Sequence, residues 1–197
     1  MVSLPAPRLD GKVSVEKALA TRRSVRDYSF QPLTMQEVAQ LLWAAQGITD
    51  SEGRRTAPSA GALYPLEVYL VAGNVEGLSA GVYKYEPKPH QLRGVRQGDA
   101  RSDLSRAAGG QESVRQAAAS IVIGAVYERT TVKYGDRGRT YVHMEVGHAA
   151  QNVCLEATAL GLGTVPVGAF DDAQVRAVVA MPVGEAPLYV LPVGRMK

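Results

Sequence analysis

Cysteine is nearly absent from this 197-residue sequence, which contains one, Cys154. An internal disulfide is therefore excluded, and the apolar helical pattern around Cys154 predicts a buried core residue rather than a reactive thiol. No apolar run approaches the roughly 18 residues of a membrane-spanning helix. The first residues also lack the apolar core of a signal peptide, so we expect a cytoplasmic protein without membrane segments.

A strong charge imbalance is also missing. Lys and Arg number 22 against 19 Asp and Glu, which gives a net charge of +3. This balance argues against a general nucleic-acid binder. Neither repeats nor a low-complexity linker interrupts the chain, so we predict a single domain over residues 1–197.

The motifs of several enzyme classes are missing. In the glycine-rich segment 161–169, Pro166 stands where a dinucleotide fingerprint requires its third glycine, and no P-loop is present. The G-x-S-x-G motif of hydrolases is absent as well. His143 begins a zinc-deaminase-like H-x-E but no P-C-x-x-C follows. His143 and His148 would point about 140° apart on a helix, so we expect no metal site.

Capping residues and apolar periodicity predict helices and strands in mixed order. Ser14 caps a short helix that extends to residue 21, and the capping box from Thr34 to Glu37 opens a second helix that Gly47 ends. Further helices are expected over residues 102–108, 140–160 and 171–179. Strands are expected over residues 66–72, 81–86, 91–95, 119–127, 164–168 and 188–193. Because no regular βαβ alternation is present, the pattern indicates an α+β fold.

A cluster of anion-binding residue types lies near the start of the chain, within five positions. Its members are Arg22, Arg23, Ser24 and Arg26. Forked guanidinium groups and a hydroxyl are the donors that best hold a phosphate monoester. Arg195, two residues from the C-terminus, is a further candidate. A solvated basic turn explains the same spacing equally well.

Two segments rich in small residues could lie against a flat ligand, because such a backbone can approach it closely. They are the proline-flanked segment 57–65 and the glycine-rich segment 161–169. Lys133 and Tyr134, ahead of the longest predicted helix, are possible proton donors. By composition alone, however, the first segment is an ordinary connection and Lys133-Tyr134 belongs to a mobile basic loop.

In their order along the chain, these segments resemble the nitroreductase superfamily. They are TRRSVRDYSFQPLT, APSAGALYPLEVYLV, KYGDRGRTYVHMEVGHAAQNVCLEATALGLGTVPVGAFDD and a terminal Gly-Arg, and together they extend from about residue 14 to 195. They look closest to the SagB-type branch, which is related to thiazoline and oxazoline oxidases. The resemblance implies an α+β homodimer with a mostly antiparallel central sheet flanked by helices, and with two FMN sites at the subunit interface.

The resemblance also implies roles for individual residues. The flavin phosphate and ribityl chain would be held by Arg22, Arg23, Ser24 and Arg26, with Arg195 closing on the phosphate. The partner subunit would supply residues beside the isoalloxazine, namely Pro58, Ser59, Ala60, Gly61 and Leu63. The other side of the ring would be lined by Val167, Gly168 and Ala169, with one backbone N–H near N5. Lys133 and Tyr134 would match the Lys-Tyr pair of peptide azoline oxidases.

Two segments depart from the typical nitroreductase pattern. Residues 60–62 are Ala-Gly-Ala where many members have an Asn after Pro-Ser, and Gly168-Ala169 replaces a Glu-Gly pair. Both departures fit the SagB-type branch. They also remove hydrogen-bonding groups that typical nitro-group reducers use, so the sequence does not identify the substrate.

The activity implied is that of an FMN-dependent oxidoreductase. It would transfer a hydride in ping-pong fashion between NAD(P)H and an oxidised small organic acceptor, such as a nitro compound or a quinone. The residues equally allow oxidation of a substrate with oxygen as the acceptor. Further alternatives are a flavin-binding carrier or sensor without turnover, an enzyme that consumes FMN as the lower-ligand synthase of cobalamin does, and a polyanion-binding module.

Overall fold

A seven-stranded sheet forms the centre of the computed structural model, which describes residues 1–197. All of its strand pairs are antiparallel, in the spatial order β1-β4-β3-β2-β5-β7-β6. The strands are β1 (Val2–Ser3), β2 (Leu66–Ala72), β3 (Gly81–Glu86), β4 (Gln91–Gln97), β5 (Ala119–Ala125), β6 (Leu162–Thr164) and β7 (Ala186–Arg195). The α+β fold with an antiparallel central sheet is therefore confirmed.

Helices cover both faces of the sheet. They are α1 (Val15–Thr21), α2 (Met35–Gln46), α3 (Arg101–Ala107), α4 (Glu112–Gln116), α5 (Glu128–Tyr134), α6 (Arg137–Ala159) and α7 (Asp172–Val178), with a short 3₁₀ helix at Ala60–Ala62. Side chains alternate across β2: Val68 and Leu70 join the core under α2 and α6, whereas Tyr69 and Val71 join the core under α3 and α7. This two-residue period is what a strand buried on both faces requires.

The predicted caps hold the helix ends. The Ser14 hydroxyl accepts the Lys17 amide, and Thr34 and Glu37 form the reciprocal capping box. Gly47 ends α2 as predicted, but its φ of −65° needs no glycine. A Cβ at Gly47 would instead lie 2.0 Å from the Trp43 indole, so side-chain packing demands glycine here.

Some element boundaries were predicted wrongly. The strand expected over residues 164–168 ends at Thr164, and Val167 makes only an isolated bridge to Val190. Pro166 has no N–H with which to continue the ladder. The strand expected over 119–127 ends at Ala125, and the last strand is longer than predicted because β7 pairs with both β5 and β6.

The composition-based assignment of Lys133 and Tyr134 to a mobile loop is also wrong. Both residues lie in the last turn of α5, and Gly135 at φ 56° separates this helix from α6. No side chain caps the start of α5, so its sequence carries little local signal. None of the helices is long and apolar enough to cross a bilayer.

Candidate functional site

The arginine segment, residues 22–26, lies along the outer edge of the sheet. The Val25 amide donates to the Thr164 carbonyl of β6 at 3.0 Å. Buried Tyr28 fixes the turn that follows, because its hydroxyl donates to the Val25 carbonyl at 2.7 Å. A Cβ at Gly194 would lie 2.9 Å from the Tyr28 ring, so that glycine makes room for the tyrosine. The segment is therefore ordered by the sheet edge rather than by its own charges.

The three guanidinium groups of this segment have no carboxylate within 4.0 Å. Arg23 donates to the carbonyls of Ala20 and Arg22 at 3.1 and 2.7 Å. Arg22 lies near the thiol of Cys154. Burial raises the pKa of that thiol to about 11, and the positive charge of Arg22 lowers the same pKa. The segment thus presents positive charge that the chain itself does not neutralise, as a phosphate site requires.

Arg195 has a different environment. Its guanidinium forms a bidentate pair with Glu37, with N···O distances of 2.9 and 3.0 Å. The same carboxylate accepts the Thr34 amide in the capping box of α2 at 2.8 Å. The role of Arg195 toward a phosphate stays a prediction, and a phosphate there would compete with Glu37 for the guanidinium.

The loop of residues 57–65 is in contact with Lys133 and Tyr134. A Cβ built on Gly61 would lie 2.8 Å from the Tyr134 hydroxyl and 3.0 Å from Lys133 Nζ. The Lys133 ammonium lies 5.4 Å from the centroid of the Tyr134 ring. Tyr134 in turn packs edge-on against Tyr141, with centroids 5.1 Å apart. Two segments distant in sequence therefore form one surface that offers an ammonium group, a phenol and a bare backbone.

The backbone of the loop is strained at this contact. Gly61 has φ 64°, and the non-glycine residues Ala62 and Tyr64 have φ 54° and 46°. Such conformations cost free energy, and they persist where the surrounding structure holds them, as at many functional sites. The Ser59 hydroxyl contributes by accepting the Tyr64 amide at 2.9 Å.

A buried carboxyl group lies next to the loop. Glu145 of α6 is 3% exposed, and its Oε1 has no hydrogen-bond partner. Burial raises the pKa of Glu145 to about 7, while the Ser59 hydroxyl and the Arg55 guanidinium act in the opposite direction. A carboxyl group with such a pKa exchanges its proton near neutral pH.

The segment after β6 offers backbone donors. Val167 exchanges two hydrogen bonds with Val190, at 2.8 and 3.0 Å. Gly168 and Ala169 are exposed, and neither amide donates a hydrogen bond within the chain. These two N–H groups are therefore free to bind a ligand, as the predicted flavin contact requires.

The predicted residues thus fall into two groups within one chain. The arginine segment and residues 167–169 adjoin β6, beyond the C-terminal end of α6. The loop with Lys133 and Tyr134 lies beside Glu145 in the first half of α6. Glu145 and Cys154, which mark the two groups on α6, are about 14 Å apart along the helix axis. No hydrogen bond or ion pair joins the two groups.

Sequence reasoning missed two residues next to the loop, Arg129 and Glu145. Arg129 donates to the Tyr64 carbonyl at 3.1 Å. Arg129 belongs to no recognisable motif, and Glu145 belongs only to the incomplete H-x-E at His143; each acquires its partners through contacts between distant segments. Glu37 was visible as part of a capping box, but its pairing with Arg195 was not.

Comparisons with known proteins fit this geometry. The family model described as the nitroreductase family matches residues 19–195. A putative nitroreductase of Methanocaldococcus jannaschii is 49% identical over 184 residues, which cover 93% of this chain and 92% of that protein. The crystal structure of a putative nitroreductase from Ralstonia eutropha superposes with a TM-score of 0.88 at 30% identity, covering 100% of this chain and 89% of that one.

A further relative is the Microcin B17-processing protein McbC of Escherichia coli. It is 36% identical over 114 residues, which cover 55% of this chain but only 42% of McbC. The match therefore supports the branch, and it does not transfer the activity of the longer protein. From the family match and these relatives, the chain belongs to the nitroreductase family and, within it, to the SagB-type branch.

Proposed function

We propose that this protein is a single-domain, homodimeric oxidoreductase over residues 1–197 that depends on FMN and uses NAD(P)H as co-substrate. The observation that carries the proposal is the arginine segment along β6, whose three guanidinium groups lack acidic partners. Unneutralised guanidinium groups are the typical donors for a phosphate monoester such as that of FMN.

The residues present fit FMN at both ends. Arg22, Arg23, Ser24 and Arg26 would hold the phosphate and ribityl chain, and Arg195 would join them on leaving Glu37. The free amides of Gly168 and Ala169 would donate to the ring edge. When bound, FMN supplies the hydride chemistry, taking electrons from NAD(P)H and passing them to an oxidised small organic acceptor in two separate half-reactions.

The loop supplies the other face of the site. Gly61 has no side chain, so a flat ring could approach the backbone of Pro58, Ser59, Ala60 and Leu63 closely. Lys133 Nζ and the Tyr134 hydroxyl adjoin that backbone, where they would donate protons to the reacting acceptor.

A homodimer would join the two groups of site residues. They lie apart in one chain, so a complete site would combine the arginine segment of one subunit with the loop of its partner. Exposed apolar residues support such a contact: Val15 and Leu19 of α1 are 66% and 56% exposed. Val15 lines an apolar cleft together with Trp43 and Leu155. A second copy covering this face would bury apolar surface that monomers seldom expose.

An anaerobic half-reaction experiment tests the proposal. Purified protein is titrated with FMN, NADH or NADPH is added next, and acceptors follow. We expect retention of yellow flavin, bleaching by the nicotinamide and recovery of colour with a nitro compound or a quinone. Failure to bind FMN contradicts the cofactor assignment. Binding without bleaching by either nicotinamide indicates a carrier, a sensor or an enzyme that takes its electrons from another substrate, and loss of FMN in air indicates a flavin-consuming enzyme.

A second candidate function is FMN-dependent oxidation of a substrate with oxygen as the acceptor. The similarity to McbC and the contact of Lys133 and Tyr134 with Gly61 favour it. In that case a reduced substrate, rather than NAD(P)H, would bleach the flavin without air. Oxygen uptake would then require that substrate and would fall in the variant Lys133→Ala.

A further inference from the structure

Tyr64, at the end of the strained loop, is held at three of its groups. Its amide donates to Ser59 Oγ at 2.9 Å, and its carbonyl accepts from Arg129 of α5 at 3.1 Å. The Arg55 guanidinium lies 4.5 Å from the centroid of its ring. Arg129 lies on α5, the helix that also carries Lys133 and Tyr134. Arg129 therefore connects both sides of the contact at Gly61.

Arg129 is itself anchored by a chain of alternating charges. Its second guanidinium nitrogen binds Glu67, and Lys84 bridges Glu67 and Glu185 at 2.9 and 2.6 Å. The buried Tyr69 hydroxyl donates to Glu185. The side chains of Lys84, Glu67 and Glu185 are 14%, 14% and 7% exposed, so water screens these pairs weakly. Arg129 is the outermost member of a balanced network fixed to the sheet.

We propose that Arg129 is a positioning residue that holds the strained loop of residues 59–64 against Lys133 and Tyr134. The fork of the guanidinium allows one group to bind the Glu67 carboxylate and the Tyr64 carbonyl at once, which an ammonium group cannot do with the same geometry. Loss of the fork frees the loop to leave its positive-φ conformation. The consequence for turnover rests on the proposed function, whereas the consequence for loop order does not.

Hydrogen exchange and steady-state kinetics test this role on the full-length protein. The variants are Arg129→Gln, Arg129→Lys and the control Arg115→Gln, which removes an exposed ion pair with Glu112 on α4. In Arg129→Gln we expect the two hydrogen-bonded amides of the loop, those of Ala62 and Tyr64, to exchange about tenfold faster or more, while β2 and β5 stay protected. Arg129→Lys should give an intermediate rate, and Arg115→Gln should match the wild type.

The kinetic readout separates positioning from cofactor binding. With the acceptor varied, kcat of Arg129→Gln should fall about tenfold or more, because small misplacements of reacting groups are costly. The affinity for FMN should fall less than it does in Arg22→Ala, since Arg129 acts on the loop and leaves the arginine segment that would hold the phosphate intact. If Arg129→Gln does not fold, Arg129→Lys provides the same two measurements.

Unchanged exchange of the Ala62 and Tyr64 amides in Arg129→Gln would overturn the positioning role. So would an Arg129→Lys protein that matches the wild type in both exchange and kcat, because the fork would then be dispensable. A wild-type protein that binds no FMN contradicts only the proposed function. The exchange rates would then still decide the role of Arg129.

Discussion

Gly61 lies against Tyr134, and a side chain at position 61 would meet the phenol hydroxyl at 2.8 Å. This relationship joins a loop before β2 to the end of α5. Two constraints require glycine at position 61: the close approach of Tyr134 and a φ of 64°. The contact makes the loop and the Lys-Tyr pair one structural unit, whatever ligand that unit binds.

Replacing Gly61 by alanine should therefore impair more than the local backbone. The left-handed conformation alone costs an L-residue about 1–2 kcal/mol. The variant Gly53→Ala is a matched control, since Gly53 has φ 81° and open space around it. We expect the Gly61→Ala protein to lose more unfolding free energy than the control, and to lose turnover that the control keeps. Equal stabilities with unchanged turnover would show that the contact with Tyr134 is not tight.

Removing Arg22 should weaken FMN binding without altering the fold. A hydrogen bond to a charged group contributes about 1.5–3 kcal/mol, so Arg22→Ala should raise the Kd for FMN by about tenfold or more. Arg176→Ala is the control, because Arg176 is an exposed arginine of α7 that also has no ion pair. Quenching of flavin fluorescence measures both affinities. An unchanged Kd for Arg22→Ala would mean that the arginine segment faces only water.

Neutralising Glu37 should strengthen FMN binding if Arg195 closes on the phosphate. Glutamine at position 37 keeps a capping box possible while it weakens the pair with Arg195. Because a partly exposed ion pair contributes up to about 1 kcal/mol, the Kd for Glu37→Gln should fall by up to about fivefold. Arg195→Gln should raise the Kd instead. The same FMN titration measures both variants, and an unchanged Kd in both would remove Arg195 from the site.

The buried carboxyl of Glu145 should make stability depend on pH. Burial raises its pKa to about 7 in the folded protein from an ordinary value of 4.5, so the folded state favours the protonated form. The contribution of protonated Glu145 to the stability of the folded state is fully present below pH 4.5 and is lost as the pH rises through 7. The free energy of unfolding of Glu145→Gln, relative to that of the wild type, should therefore increase as the pH rises, by up to about 3 kcal/mol.

Urea unfolding at about pH 5 and at about pH 8.5 measures this gain. The exposed Glu76→Gln serves as the control and should show no such difference. A Glu145→Gln advantage that is equal at both pH values would mean that Glu145 is ionised throughout this range.

Much of the fold could be predicted because its signals are local. Ser14, Thr34 and Asp171 cap helices through side chains that reach amides three residues away. The strand Leu66–Ala72 was predicted with its correct ends from a mostly apolar run. The start of α5 has no such cap, and β6 ends at Thr164 because Pro166 has no N–H with which to continue the ladder. Both of these elements were assigned wrongly from the sequence.

The sequence by itself determined the helix caps, most strands of the core and the arginine segment, since each depends on residues close together in the chain. The order of such segments along the chain indicated the family. Only the tertiary structure decided that Gly61 meets Tyr134, that Arg195 pairs with Glu37 and that Arg129 links Tyr64 to Glu67. The physical reason is the sheet, whose strand order and register bring distant segments within hydrogen-bonding distance. Local sequence patterns do not encode that proximity.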